Sequence, residues 1–292
     1  MTTSKVIIVT GCDGLLGRSL LPVIRERYTV VGMDQGIGSK TGESIALDLS
    51  QKVAIHSIVD AAPSVVIHAA AQTGVDRCEI DRGLAIRANV DSTRNVVEAC
   101  DKAKAKLVLL STDYVFDGVK GGYVEPDPPN PLNFYGMTKL EAERIAATSS
   151  NSLIIRSSVL YGWNPNKPNF VTWLLERLSD RKEAHVADDQ FNSPTFAGNL
   201  AVAIREALER DVKGVLHLAG SERISRLDFA RKTAEKFNLN AGLLVPVKMK
   251  KLNWIAKRPR DSSLVVERAE KELNVELFGV DRGLEEMLRK RT

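Results

Sequence analysis

The sequence predicts an α/β protein in which a doubly wound parallel sheet is joined to a smaller C-terminal lobe. Short β-branched apolar runs, such as residues 5–10, have the composition of strands that are buried on both faces. Segments with apolar residues at helical spacing separate these runs, and this alternation is typical of βαβ units. After about residue 160 the alternation weakens, which predicts that the later segments build the second lobe.

The predicted elements follow one another along the chain. Apolar residues from Leu16 to Ile24 recur at helical spacing, but Pro22 lacks a backbone donor, so we expect a kink or a late helix start there. Residues 162–169 are rich in Pro, Gly and Asn and are predicted to form a loop. The predicted strands are residues 5–10, 28–33, 64–68, 106–110, 152–156 and 214–219, and the predicted helices are residues 52–61, 84–103, 138–148, 199–208 and 226–237.

Composition and charge exclude several classes of protein. The 292 residues are 43% hydrophobic and 27% charged, as in globular proteins, and the net charge is only +4. Aromatic residues make up 5%, which argues against a stacking surface for nucleic acid. The first residues do not resemble a secretory signal, and no apolar segment reaches the ~18 residues that span a bilayer. We expect a cytoplasmic protein without nucleic-acid or membrane partners and, since its cysteines and histidines lack metal-ligand spacing, without a metal site.

A glycine-rich turn follows the first predicted strand. Gly11, Gly14 and Gly17 have the spacing of a turn that lets the backbone approach a pyrophosphate and directs helix N-terminal amides at it. Asp34 ends the second predicted strand, where a carboxylate accepts hydrogen bonds from ribose hydroxyls and repels a 2′-phosphate. The pattern predicts a Rossmann-type site for NAD, with NADH preferred and NADP as the second candidate. Lys40, nearby in the sequence, is a cation that would weaken this preference.

A phenol and an ammonium group lie four residues apart on one predicted helix face. A tyrosine has an ordinary pKa near 10, so it exchanges protons at neutral pH only if a cation stabilises its phenolate. Lys139 supplies that charge for Tyr135 and can also bind a ribose hydroxyl. Thr112 and Asp113 follow the strand at residues 106–110, at the carboxyl end where open α/β sheets bind ligands. The set predicts a carbonyl held by Thr112 beside Tyr135.

Motifs that carry a family resemblance are spread over nearly the whole chain. They are residues 69–79 (AAAQTGVDRCE), 111–118 (STDYVFDG), 131–136 (PLNFYG), 194–195 (PT) and 258–262 (RPRDS), besides the glycine turn, Asp34 and Asn89. Together they resemble the extended short-chain dehydrogenase/reductase superfamily and, within it, the dTDP-4-dehydrorhamnose reductase family. The resemblance implies reduction of the 4-keto group of a nucleotide-linked 6-deoxyhexose by NAD(P)H, with Tyr135 as the proton donor. It also implies an NAD(P)-binding domain and a substrate-binding lobe, which we expect at residues 1–160 joined by about 196–220, and at residues 161–195 and 221–292.

The motifs and the resemblance together assign three groups of site residues. The predicted catalytic residues are Thr112, Tyr135 and Lys139. The predicted cofactor-binding residues are Gly11, Asp13, Gly14, Leu15, Leu16, Gly17, Asp34, Asp48, Leu49, Ala69, Ala70, Ala71, Tyr135 and Lys139. The predicted residues for the nucleotide-sugar substrate are Thr73, Asp113, Trp163, Asn169 and Arg258.

Two alternatives stay open. The regulatory β subunit of methionine adenosyltransferase belongs to the same family and shares the Gly-Leu-Leu-Gly of residues 14–17, so a non-catalytic NAD(P)-binding subunit is the alternative from another class. The second is a different sugar-nucleotide epimerase or dehydratase. Related dehydratases carry an acid–base carboxylate pair beside the threonine, whereas Tyr114 follows Asp113 here, so we expect reduction without dehydration. The sequence neither requires nor excludes a homodimer.

Overall fold

The computed structural model describes residues 5–36, 44–165 and 167–290. The strands are β1 (Val6–Thr10), β2 (Thr29–Asp34), β3 (Ser44–Ala46), β4 (Val65–His68), β5 (Lys106–Thr112), β6 (Ser152–Ser157), β7 (Leu160–Tyr161), β8 (Ala184–Ala187), β9 (Phe191–Asn192), β10 (Thr195–Phe196), β11 (Gly214–His217), β12 (Ile224–Ser225) and β13 (Leu244–Val247). Seven of them form one parallel sheet in the order β11-β6-β5-β4-β1-β2-β3. The predicted doubly wound parallel sheet is therefore confirmed.

Helices cover both faces of this sheet. They are α1 (Leu15–Arg25), α2 (Val53–Asp60), α3 (Val75–Ile80), α4 (Arg82–Ile86), α5 (Ser92–Ala103), α6 (Phe134–Ala146), α7 (Phe170–Ser179), α8 (Ala197–Glu209), α9 (Arg226–Lys236), α10 (Glu267–Glu272) and α11 (Val280–Arg289). Apolar residues of α1 and α8 pack together on one face, and those of α2, α5 and α6 pack on the other. Among the described helices, none has both the length and the apolar character to cross a bilayer.

Three helices differ from their predicted bounds. The late start predicted at Pro22 is wrong, because α1 begins at Leu15 and includes the proline. The single helix predicted over residues 84–103 is divided by a π-helical turn at Arg87–Asp91. Helix α6 begins at Phe134, four residues earlier than predicted, because the Asn133 side chain caps it by accepting a hydrogen bond from the Gly136 amide at 2.8 Å. The early start includes Tyr135 in the helix.

The remaining strands form three small pairs outside the main sheet. They are β7 with β10, β9 with β12, and β8 with β13. Their apolar side chains pack with α7, α9 and α11 in clusters separate from those of the main sheet. The segment that contains Leu264, Leu273 and Leu277 instead packs with α1 and α8, in the apolar cluster on one face of the main sheet. The division into two binding lobes stays a prediction.

A buried ion pair connects α6 to the main sheet. The Arg156 guanidinium in β6 donates to the Glu143 carboxylate in α6, with Nη2 and Oε2 2.8 Å apart and side chains only 5% and 6% exposed. The Ser111 hydroxyl in β5 donates to the same carboxylate. Since Glu143 lies one turn after Lys139, these contacts fix the helix that carries the predicted catalytic residues.

The variant Arg156→Met should destabilise the protein by about 3 to 5 kcal/mol, because Glu143 would stay buried without its cation. Urea unfolding measures this loss. The control is Arg144→Met, which removes an exposed ion pair with Glu141 on the same helix and should cost less than about 1 kcal/mol. Equal losses in the two variants would contradict the anchoring role of the buried pair.

Candidate functional site

The glycine turn between β1 and α1 is packed too closely for side chains. Gly11 has a φ of +67°, and a Cβ there would lie 2.7 Å from the Ala70 backbone nitrogen. A Cβ on Gly17 would lie 2.2 Å from the carbonyl oxygen of Gly11. Ala69 and Ala70, which follow β4, therefore lie directly against the turn. Gly14 caps α1 without a side-chain hydrogen bond, which leaves the first amides of the helix for an anion such as a pyrophosphate.

Asp34 lies beside this turn at the end of β2. Its carboxylate accepts hydrogen bonds from the backbone amides of Asp13 at 3.1 Å and Gln35 at 2.8 Å. The Gln35 side chain in turn donates to Asp48 at 2.9 Å. Arg18 of α1 lies 3.6 Å from the Asp13 carboxylate, so a cation that sequence spacing did not indicate is present at this end. Lys40, the cation considered from the sequence, lies outside the described residues.

The leucines predicted to bind cofactor have different surroundings. The side chains of Leu16 and Leu49 are buried in the apolar clusters on opposite faces of the main sheet. The Leu15 side chain faces Gly162, where an added Cβ would lie 3.3 Å from its Cδ1. Leu15 therefore lies where the glycine turn meets the loop after β7.

One group of ligand atoms that suits a metal occurs in the part of the chain described here. The Cys12 thiol and the Asp13 and Asp34 carboxylates lie within 4.8 Å of one another. Burial, together with the two carboxylates, raises the pKa of Cys12 to about 11, so the thiol stays protonated at neutral pH. Because Asp34 is also the predicted ribose ligand, this group belongs to the cofactor end of the site.

Tyr135 meets Thr112 at the carboxyl end of β5, and Lys139 lies one helical turn after Tyr135 in α6. Burial raises the pKa of Tyr135 above its ordinary value, and hydrogen bonding to Thr112 acts in the opposite direction. Burial also lowers the pKa of Lys139 to about 8, against the attraction of Glu143. At neutral pH the phenol therefore holds its proton and the lysine is charged. This is the protonation state that a proton donor with a nearby stabilising cation requires.

Asp113 joins three distant segments of the chain. Its carboxylate accepts hydrogen bonds from Thr112 at 3.1 Å, from Ser158 at 2.9 Å and from Ser262 at 2.5 Å. Burial raises its pKa to about 6, although the three hydroxyl donors oppose the rise. Sequence reasoning missed Ser158 as a site residue and used Ser262 only as part of a motif, since they are 45 and 149 positions away.

Asn89 also helps to position the site. It lies in the π-helical turn, where its side chain accepts from the Gln72 amide at 2.8 Å and donates to the Thr138 hydroxyl in α6 at 2.9 Å. These bonds tie the segment after β4 to the catalytic helix. The motif residue Asn89 therefore has a structural role in joining the cofactor end to α6.

Two of the predicted substrate residues donate side-chain hydrogen bonds to backbone carbonyls. The Trp163 indole nitrogen donates to the carbonyl oxygen of Met287 in α11 at 2.7 Å. The Asn169 side chain caps α7 and donates to the Gly162 carbonyl at 2.7 Å. Their polar groups thus already have partners, and their contact with substrate stays a prediction.

Two further predicted substrate residues, Thr73 and Arg258, also have partners in other segments of the chain. The Thr73 hydroxyl accepts a hydrogen bond from Lys167 at 2.8 Å, which connects the segment after β4 to the loop before α7. Arg258 lies 3.0 Å from Asp76 and stacks on Trp254. Its charge lowers the pKa of Tyr114, although burial raises that pKa overall. Arg258 is therefore close to the catalytic strand.

Comparison with known proteins adds information on family. A family model described as RmlD substrate binding domain matches residues 5–292. A dTDP-4-dehydrorhamnose reductase of Aggregatibacter actinomycetemcomitans is 34% identical over 274 residues, which cover 88% of this chain and 90% of the relative. Methionine adenosyltransferase 2 subunit beta of Bos taurus is 31% identical over 276 residues, which cover 91% and 82%. A crystal structure of dTDP-4-dehydrorhamnose reductase from Bacillus anthracis in complex with NADP has a TM-score of 0.91 at 30% identity and covers 99% of this chain and all of that one.

The variant Lys139→Met should stabilise the protein measured without cofactor. The pKa of Lys139 falls from its ordinary value of 10.5 to about 8 on folding, so between these pH values the unfolded chain binds more protons than the folded chain. The free energy of unfolding therefore rises with pH across this window. The full cost of burying the charged lysine applies below pH 8. We expect a gain of about 3 kcal/mol in urea unfolding at pH 7, and no gain near the upper end of the window.

The control for this prediction is Lys251→Met, which replaces an exposed lysine. It should give no pH-dependent gain, because a solvated ammonium group loses little on folding. A gain for Lys139→Met that is the same at both ends of the pH window would mean that apolar packing, and not a desolvated charge, is responsible.

Proposed function

Because the chain belongs to the RmlD substrate binding domain family, we propose that it reduces the 4-keto group of a nucleotide-linked 6-deoxy sugar. The chain is an NAD(P)-dependent oxidoreductase of the extended short-chain dehydrogenase/reductase type. The observation that supports the finer proposal is the contact between Tyr135 and Thr112 at the carboxyl end of β5, with Lys139 one helical turn after Tyr135 in α6. A nucleotide sugar is the substrate class, and a homodimer stays a prediction.

The residues of the cofactor end suit a nicotinamide dinucleotide. The glycine turn leaves no room for a Cβ, α1 presents unpartnered amides to a pyrophosphate, and Asp34 lies at the place of a ribose. When bound, the nicotinamide supplies the hydride for the C4 carbonyl carbon. Tyr135 gives its phenolic proton to the carbonyl oxygen, so that an alcohol forms. Lys139 stabilises the resulting phenolate, and the Thr112 hydroxyl holds the carbonyl in place.

We propose the following division of the chain. Residues 1–160, joined by about 196–220, bind the cofactor, and residues 161–195 and 221–292 bind the sugar nucleotide. The placement of β11 in the main sheet supports the inclusion of 196–220 in the first part. Residues 264–277 pack against one face of that sheet, so this stretch also has a structural role in the proposed cofactor-binding part.

A non-catalytic binding subunit is the second candidate function. It is favoured by the 31% identity to a methionine adenosyltransferase subunit over 91% of the chain. The complete set of Thr112, Tyr135 and Lys139 favours the enzyme, since a binding role does not require a protonated phenol beside a lysine. A binding subunit would not oxidise NADH or NADPH with any 4-keto-6-deoxy sugar nucleotide.

The variant Tyr135→Phe should reduce the keto sugar about 100- to 10,000-fold more slowly than wild type, because only the proton donor is removed. Cofactor affinity, measured by fluorescence titration, should change little because the ring stays. Tyr114→Phe is the matched control, since it removes a neighbouring buried phenol that is not assigned proton transfer. Wild-type protein without turnover, or a Tyr135→Phe variant with full activity, would contradict the proposed mechanism.

We propose that the enzyme prefers NADH, although the similar Bacillus anthracis reductase was crystallised with NADP. The Asp34 carboxylate should weaken NADPH binding by about ten- to a hundredfold, as expected for 1 to 3 kcal/mol of repulsion. Asp34→Asn should then close most of this gap in dissociation constants. Arg18→Met is the control, because it removes the cation near Asp13 and should weaken NADPH binding more than NADH binding. Equal affinities of wild type for the two cofactors would contradict the preference.

A further inference from the structure

The N-terminal end of α9 holds a cation without a partner. Arg226 is the first residue of this helix, and its backbone amide donates to the Gln190 carbonyl at 2.8 Å. The guanidinium carbon lies 4.6 Å from the centre of the Phe170 ring. Its Nη1 atom is buried and has no hydrogen-bond partner. Among the residues that the structure describes, no carboxylate forms an ion pair with it.

The charges around Arg226 do not neutralise it. Asp113 attracts the guanidinium, but its carboxylate already accepts three hydroxyl hydrogen bonds. Arg258 adds a second positive charge and has its own partner in Asp76. Arg226 is partly buried, and a charge that is shielded from water without an ion-pair partner is costly. The arrangement is therefore suited to an anion that comes from outside the chain.

A second unpartnered atom belongs to Gln190, whose backbone carbonyl accepts the Arg226 amide hydrogen bond. The side chain of Gln190 is 1% exposed, and its Oε1 atom accepts no hydrogen bond. Its Nε2 atom lies 3.5 Å from the phenolic oxygen of Tyr114, and the Tyr114 ring meets the Tyr135 ring edge-on with centroids 6.2 Å apart. Gln190 is thus linked through Tyr114 to Tyr135, the proposed proton donor.

We propose that Arg226 binds the diphosphate of the nucleotide-linked sugar and that Gln190 accepts a hydrogen bond from a hydroxyl of the same ligand. The assignment rests on the proposed function for the class of ligand. A guanidinium suits a phosphate because it donates two parallel charge-assisted hydrogen bonds. The diphosphate is attached at C1 of the hexose, across the ring from C4. Holding it at Arg226 therefore directs the C4 carbonyl toward Tyr135, which makes Arg226 a substrate-binding residue that sets orientation.

The test is calorimetric titration with dTDP, which contains the diphosphate but no sugar. Arg226→Met keeps an apolar chain over Phe170 and should raise the dissociation constant about 10- to 100-fold. Arg226→Lys keeps the charge and should lose less. The control is Arg223→Met, which removes an exposed arginine paired with Asp261 and should change dTDP binding less than about twofold. NADH binding should be the same in all variants.

Urea unfolding separates binding from a structural role. Removing a partly buried charge that has no ion-pair partner should leave the unfolding midpoint of Arg226→Met unchanged or higher, whereas a structural arginine would lower it. Unchanged dTDP binding in Arg226→Met overturns the proposal, and so does a loss that comes with a lower midpoint and weaker NADH binding.

The two proposals fail in different ways. If wild type binds dTDP through Arg226 but reduces no keto sugar, the reductase function is overturned and the diphosphate site stands. If wild type turns over and Arg226→Met has an unchanged KM, the diphosphate site is overturned and the reductase function stands.

Discussion

The buried ion pair between Glu143 and Arg156 determines where the chemical groups of the site lie. Glu143 is in the same helix as Tyr135 and Lys139, and its carboxylate reaches both β5, through Ser111, and β6. The carboxyl end of β5 carries Thr112. The phenol, the ammonium group and the hydroxyl therefore depend on one contact for their relative positions. A pair excluded from water suits this purpose, because its geometry is not weakened by solvent screening.

The site contains charges that its own side chains do not neutralise. Lys139 is a buried cation and Arg226 a partly buried one, and loss of hydration lowers the pKa of both. Burial also favours the protonated form of Asp113. Each lowers the stability of the protein without ligand. Ligands that bring phosphates, hydroxyls and a carbonyl supply the missing partners, so binding is expected to stabilise the folded chain. These charges thus lower the stability of the ligand-free protein, and the same charges are available to bind ligand in the site.

Sequence reasoning predicted the parts of the molecule that depend on neighbouring residues. Apolar runs predicted six of the seven strands of the main sheet, all except β3, and close glycine spacing predicted the turn, because both patterns are local. The phenol and the lysine were recognised because they share one helix. Ser158, Ser262 and Arg226 were not recognised as site residues, since their roles arise only when distant segments meet. Trp163 and Asn169 are the opposite case, because they were predicted as substrate residues and the structure gives their side chains other partners.

The polar groups of these two predicted substrate residues have partners within the protein. The Trp163 indole donates to α11, and the Asn169 side chain caps α7 and donates to Gly162. Side-chain partners of this kind cannot be counted from sequence. The cation near the predicted ribose position is another contact that sequence spacing did not indicate. Arg18 of α1 lies close to the Asp13 carboxylate, and this contact forms only when the helix and the glycine turn are folded.

The bond between Ser262 and Asp113 has a consequence for the order in which the protein matures. It closes a loop of 149 positions, and contacts of such long range form late because ordering the intervening chain costs entropy. A nascent chain that has emerged from the ribosome only as far as β6 contains Thr112, Tyr135 and Lys139, but its Asp113 still lacks the serine from the C-terminal segment. The proposed catalytic residues are thus synthesised early, whereas the hydrogen bonds around Asp113 are completed only when the last quarter of the chain folds back.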